Sequence, residues 1–227
     1  MRVAFLSEGA TELALARGAR ESEAWRHDFL VKILVERILG VEGRIEPFED
    51  ASLPFLLGSQ AGKLCRQGAR LVRACARLGA EAAVIVVDND RRSPRQRWRA
   101  LRQQRENLRS DRERPLGLPL AIGVAVETIE AWLLADEVTL CDVLRIPRPS
   151  EPMGSPENLD GEPGQPNHPK WVLNQYLSRD TRPGRGFLDQ VAAIGRGMDL
   201  DAVARQCPEG FGRFRDDVVR ELGACSW

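Results

Sequence analysis

Short apolar runs alternate with longer amphipathic stretches over roughly the first 135 positions, and this alternation sets the expected architecture. Residues 2–7 read as a short buried strand. Residues 25–39 carry Phe29, Leu30, Ile33, Leu34 and Ile38 at helical spacing and stop at Gly40, a helix end. Residues 44–48 give a weaker second strand. Residues 61–78 form another amphipathic helix, with Leu64, Leu71, Val72, Cys75 and Leu78 on one face and Gly79 after it. Residues 82–87 are almost continuously apolar, which implies burial on both faces, as in a parallel sheet. Ser93-Pro94-Arg95-Gln96 then offers an N-cap, a proline at the first helical position and a glutamine three beyond the cap, predicting a helix over 94–110. A fourth strand over 120–126 and a helix over 128–135 follow. The order predicts an α/β fold, an open and mostly parallel sheet of about four strands flanked by helices.

Composition changes after Arg145. Residues 146–169 hold seven prolines among Gly, Asn and Asp, which predicts a loop. Short helices are expected at 170–177, 186–194, 201–206 and 208–222. The chain thus divides into an α/β core (1–145), a Pro/Gly-rich loop (146–169) and a helical C-terminal extension packed on the core (170–227). There are no internal repeats. No apolar run approaches the length of a membrane span and no leader pattern opens the chain. The five cysteines are odd in number and form no CxxC pair, which suits free thiols in a reducing compartment. The expectation is a cytoplasmic protein.

The candidate chemistry sits where strands end. Glu8-Gly9-Ala10-Thr11-Glu12 follows the first strand, and Asp88-Asn89-Asp90 follows the third. In open α/β sheets, ligands bind in the crevice beyond the carboxyl ends of the strands. Residues two apart on an extended chain face the same way, so Asp88 and Asp90 both reach one ion. Clustered carboxylates repel unless a cation lies between them, and hard oxygen ligands suit Mg²⁺ or Mn²⁺. Glu127 ends the fourth strand and Glu130 opens the next helix, near the same crevice. The competing reading makes these acids turn and capping residues, or complements to a helix dipole. Asp136 fits better as the cap of a helix from Glu137 than as a ligand.

Charge changes the picture locally. The 33 basic and 33 acidic residues cancel, but residues 91–114 hold ten arginines against Glu106, Asp111 and Glu113. Arg91, Arg92, Arg95, Arg99 and Arg102 would follow a phosphate backbone beside the metal site, giving affinity without sequence choice. Trp98 is a candidate for base stacking; a solvated basic helix is the alternative. With two histidines, no G-x-S-x-G motif and no P-loop, only metal chemistry is well supplied.

The glutamate after the first strand and the later DxD resemble the Toprim superfamily, the metal-binding domain of topoisomerases, DnaG-type primases and overcoming-lysogenization-defect nucleases. The set Glu8-Gly-Ala-Thr-Glu12, Ile129-Glu130-Ala-Trp-Leu-Leu-Ala-Asp136 and Pro169-Lys170 looks closest to an uncharacterised bacterial family of small Toprim-like proteins. The resemblance covers about residues 1–180. It departs at 13–23, an irregular Arg/Ala/Gly segment that displaces Glu12 from a regular helix, and no zinc-finger, ATPase or topoisomerase module accompanies it. It implies a nuclease in which Glu8, Asp88 and Asp90 hold one Mg²⁺ or Mn²⁺. Glu12, Glu127 or Glu130 would help with a second ion, and Lys170 would contact the scissile phosphate. The implied activity is metal-dependent cleavage of DNA or RNA, with phage defence as a setting. The rival is a non-catalytic nucleic-acid-binding or effector subunit that needs an ATPase partner. A phosphotransferase acting on a small nucleotide is a third reading.

Overall fold

The computed structural model describes residues 1–7, 29–48, 63–89, 93–112, 115–162, 164–180 and 186–227. Strands β1 (Arg2–Ser7), β2 (Glu46–Pro47), β3 (Ala82–Asp88) and β4 (Leu120–Ala125) form one parallel sheet in the order β2-β1-β3-β4. Helices α1 (Leu30–Leu39), α2 (Lys63–Arg77) and α3 (Pro94–Ser110) lie in the connections between successive strands. After β4 come α4 (Glu130–Leu134), α5 (Glu137–Leu144), α6 (Pro169–Leu177), α7 (Phe187–Gly197), α8 (Leu200–Gln206) and α9 (Arg213–Leu222). A 3-10 turn at Pro156–Asn158 and a π turn at Pro208–Gly212 complete the described elements. This is the open, parallel, helix-flanked α/β architecture that the alternating pattern predicts, with a helical C-terminal extension. Among the described residues no helix is long and apolar enough to cross a membrane.

Successive strand residues point to opposite faces, so one sheet serves two cores. Val3, Phe5, Val84, Val86, Ala121 and Ala125 enter a core shared with α1 and with α4 to α9. Ala4, Leu6, Ile85, Val87, Ile122 and Val124 enter a second core beneath α2 and α3. Coverage on both sides is the physical reason that β3 reads as an unbroken apolar run. Gly123 interrupts β4 because a β-carbon there would stand 2.7 Å from Phe214 Cδ2. That space lets Phe214 stack on Trp132 with centroids 5.3 Å apart, while Phe211 meets Trp132 edge-on at 5.5 Å. Each such ring pair contributes about 0.5–1.5 kcal/mol beyond the area it buries.

The strand order leaves β4 at an edge, where unpaired backbone groups would invite pairing with another chain. Two side chains close it. Asp217 Oδ2 on α9 accepts from Ile122 N at 2.8 Å and from Arg105 Nη1 at 2.7 Å. Arg105 Nη1 also donates to Leu120 O at 3.1 Å. The two side chains are 5% and 2% exposed. Glu221 joins them, 3.3 Å from Arg105 and paired with Arg109 and Arg220. Burial alone would push the Glu221 carboxyl up, but Arg109 and Arg105 hold it below its ordinary range.

Several boundaries differ from the sequence expectation. The first helix begins at Leu30; Phe29 is extended and, as an apolar residue, offers no capping side chain. Residues 25–28 lie outside the described set. The second strand shrinks to Glu46–Pro47, although Phe48 N still donates to Val3 O at 2.8 Å. Ser93 occupies the N-cap position of α3 without a side-chain cap bond. The proline-rich segment is anchored by Glu157, whose carboxylate accepts from Gly210 N at 2.6 Å and Glu209 N at 3.2 Å. Burial pushes that carboxyl up, and the two amides only partly offset it.

Removing one member of a buried pair strands the other, at about 3–5 kcal/mol. Asp217→Ala is therefore expected to lower the unfolding free energy by that amount in urea titration. Arg148→Ala, which breaks the exposed pair with Asp142, should cost less than about 1 kcal/mol. Similar midpoints for the two variants would show that the β4 edge is held by something else.

Candidate functional site

From β1 the chain moves outward to β2, then returns past β1 to β3 and on to β4. The first connection packs α1 on one face and the others pack α2 and α3 on the opposite face. The carboxyl ends of β1 and β3 therefore flank the point where the connections part, the place at which open α/β sheets bind ligands. Ser7 ends β1 and pairs with Val86; Asp88 ends β3 and pairs with Ala125. Glu8 follows Ser7 directly in the chain. Glu8, Glu12, Asp90, Arg91 and Arg92 lie outside the described residues, as does the 13–23 segment.

The end of β3 is fastened to the turn between β4 and α4. Asp88 Oδ1 accepts from Ile129 N at 3.1 Å, so this carboxylate serves the first turn of α4. Asn89 N donates to Ala125 O at 2.9 Å and to Glu127 O at 3.2 Å. Glu127, half-buried, has φ of 61°. That left-handed conformation costs a residue with a β-carbon about 1–2 kcal/mol. Strain of this kind persists only where the surroundings enforce it, and it gathers at functional sites. The Asn89 amide donates to the carbonyl of this residue.

Glu130 opens α4 and is 3% exposed. It has no hydrogen bond or ion pair with any described residue. Two oxygens in this turn region, Asn89 Oδ1 and Thr128 Oγ1, are fully buried without a hydrogen-bond partner, and the Glu130 carboxylate oxygens are not among such atoms. Oxygen donors of this type fit a hard divalent cation such as Mg²⁺ or Mn²⁺. Among the described residues no group of three His, Cys, Asp or Glu side chains is placed to hold a metal. The ligand set expected from the sequence draws three of its acids from outside them.

Lys170 stands exposed in the first turn of α6, its backbone N donating to His168 Nδ1 at 3.3 Å. Helix α6 packs against α4, but no bond joins the Lys170 side chain to Asp88, Glu127 or Glu130. The arginines of α3 separate into two sets. Arg95, Arg99 and Arg102 are exposed at i, i+4 and i+7, on one face. Arg97 and Arg105 are buried, and Arg109 pairs with Glu221. Trp98 is 2% exposed within the second core, which removes it as a platform for a base. Arg102 lies 5.6 Å from its ring centroid.

The sequence reading missed α2. Arg66, Arg70 and Arg77 are exposed on this neighbouring helix, whose sequence contains no acid. The signal was legible as arginines at i, i+4 on the polar face of a helix without a countercharge.

The chain belongs to the family described as a domain of unknown function, DUF4276, whose model matches residues 9–218. No curated protein and no solved structure matches it.

Two variants test the site without any substrate. Glu130→Gln removes a charge but keeps the shape, so in EDTA its unfolding midpoint should rise by about 2–4 °C for each kcal/mol relieved. Millimolar Mn²⁺ should raise the wild-type midpoint and leave that of the variant unmoved. Glu127→Gly should stabilise the fold by about 1 kcal/mol by relieving the left-handed backbone. Equal EDTA midpoints for wild type and Glu130→Gln, by scanning calorimetry, would mean that this carboxylate is already compensated.

Proposed function

We propose that the protein is a divalent-metal-dependent nuclease built on a Toprim-like domain. The observation that carries the reading is Glu130, buried without a partner in the helical turn whose Ile129 amide binds Asp88. Asp88 and Glu130, with Glu8 and Asp90, would hold Mg²⁺ or Mn²⁺, as one or two ions; Glu127 and Glu12 are the further candidates. The ion supplies Lewis acidity at a phosphodiester and a nucleophile at neutral pH. The protein's own part is placement. The Ile129 amide orients the Asp88 carboxylate, and the Asn89 amide fixes the turn that carries Glu127. Arg95, Arg99 and Arg102, with Arg91 and Arg92, hold the DNA or RNA backbone. Lys170, from the adjacent helix, would neutralise charge on the scissile phosphate. A role in phage defence belongs to the same proposal and rests on the resemblance alone; the proposed cytoplasmic location rests on the cysteine pattern, which suits free thiols.

A non-catalytic nucleic-acid-binding subunit working with an ATPase partner is the second reading. It is favoured by the commitment of Asp88 Oδ1 to the start of α4, a structural duty that needs no metal.

Supercoiled DNA, single-stranded DNA and RNA should be incubated with pure protein in Mg²⁺, Mn²⁺ or EDTA. Cleavage is expected in metal only, reduced about 10²–10³-fold by Asp88→Ala or Glu130→Gln. Metal-dependent cleavage that survives both substitutions would remove this site from the chemistry. Absence of cleavage, with metal and nucleic acid both bound, would favour the partner-dependent subunit.

A further inference from the structure

Helices α2 and α3 form the whole described layer over the second core, and together they carry eleven basic residues and one acid, Glu106. The chain as a whole is neutral, so positive charge is segregated onto this side of the sheet. Neither helix has an acid in its first turn, although the positive end of the helix dipole favours one there. Some of the arginines are structural: Arg73 pairs with Asp111 at 2.7 Å, Arg105 with Asp217, and Arg109 with Glu221. Six others are exposed and pair with no carboxylate among the described residues. Arg77 stands in the last turn of α2, away from the site end, which leaves Arg66 and Arg70 on α2 and Arg95, Arg99 and Arg102 on α3.

The two rows are held together rigidly. Gly68 lies at the contact, where a β-carbon would stand 3.1 Å from Gln104 Oε1 and from Ile85 Cδ1. Gln104 bridges the helices, its Oε1 accepting from Ala69 N at 2.7 Å and its Nε2 donating to Cys65 O. Helices that meet through small residues lie about 8–10 Å apart. Each helix leads into a strand of one parallel sheet, so α2 and α3 run in the same direction. Their first turns stand at the end of the layer where Asp88 closes β3. Gln104 reaches Cys65 and Ala69, and Arg73 reaches Asp111, so Arg66 lies level with about Arg102, and Arg95 and Arg99 extend the row toward the first turn.

We infer that α2 and α3 form one surface that binds both backbones of a nucleic-acid duplex. This deepens the nuclease reading, on which its link to cleavage rests, while the binding itself needs no catalysis. Guanidinium groups match phosphate with paired N–H donors, and two rows roughly 10 Å apart fall within groove widths of about 6–12 Å. Single strands are ordinarily held by aromatic platforms as well as charge. Helix α2 contains no aromatic residue, and the only one on α3, Trp98, is buried. Recognition here is of backbone, without sequence choice.

Fluorescence anisotropy in EDTA tests this with the full chain, a labelled 20-base-pair DNA duplex, an RNA duplex and a single-stranded 20-mer, over a range of KCl. A duplex should bind at least about tenfold more tightly than the single strand, with a log–log salt slope near −4.5 for five contacts at about 0.9 each. Arg66→Gln/Arg70→Gln should reduce the slope by about two, with an unchanged far-UV circular dichroism spectrum. Arg148→Gln, on the opposite side of the sheet, should leave it unchanged. A wild-type slope in the α2 double variant, equal affinity for the single strand, or no duplex binding would overturn the inference. Duplex binding without metal-dependent cleavage would instead sink the catalytic reading and leave this surface standing. Cleavage that continues without the salt-dependent α2 contribution would do the reverse.

Discussion

Asp217 Oδ2 receives hydrogen bonds from Ile122 N and Arg105 Nη1 at once, and through that oxygen α9 and α3 clasp the outer edge of β4 from opposite faces. An edge strand would otherwise expose a row of unpaired backbone groups. The arrangement holds because most of its polar atoms are paired, although Arg105 Nε is buried without a partner among the described residues. Arg105 also meets Leu120 O and Glu221, and Arg220 takes the second Asp217 oxygen. A poorly paired version of the same network would be worse than apolar packing. The consequence reaches the candidate site, because β4 leads directly into Glu127 and Glu130. Holding the strand at Ile122 sets the position from which both carboxylates depart.

Packing on the other side of α4 completes that placement. Trp132 follows Glu130 by two residues, which puts the two side chains on roughly opposite sides of the helix. The indole is clamped between Phe211 and Phe214, and Gly123 provides the space for Phe214. A five-residue helix has little stability of its own. Its orientation comes from this aromatic cluster and from the Asp88 bond to the Ile129 amide. The C-terminal extension therefore does more than cover the sheet: it supplies both rings that fix the helix carrying Glu130.

Much of this was readable from the chain, for identifiable reasons. Strand β3 announced burial on both faces through its unbroken apolar run, and Pro94 marked the start of α3. The acids were found because they follow strand ends. What could not be read depended on partners far away in sequence. Nothing local to Arg105 distinguishes it from Arg102, yet one is buried against Asp217, more than a hundred residues on, and the other faces solvent. Trp98 looked available to a base until the second core closed over it. Helix α2 was read for its apolar face alone, so its arginines joined those of α3 only when the sheet brought the helices together. The left-handed backbone of Glu127 had no sequence signal, since glycine or asparagine is the usual occupant.

The two charge features also constrain each other. A ring of carboxylates beside a duplex-binding surface would repel the phosphates that the arginines attract. At about 4 Å and an effective dielectric near 20, one such pair of like charges opposes by about 4 kcal/mol. On the proposed reading, a divalent cation among the carboxylates would reverse that sign locally and make the acidic side continuous with the basic surface. Glu130 would then meet a cation and the exposed arginines a polyanion. A backbone phosphate lying between them would satisfy both, which is why metal and nucleic acid are expected to bind cooperatively at this end of the sheet.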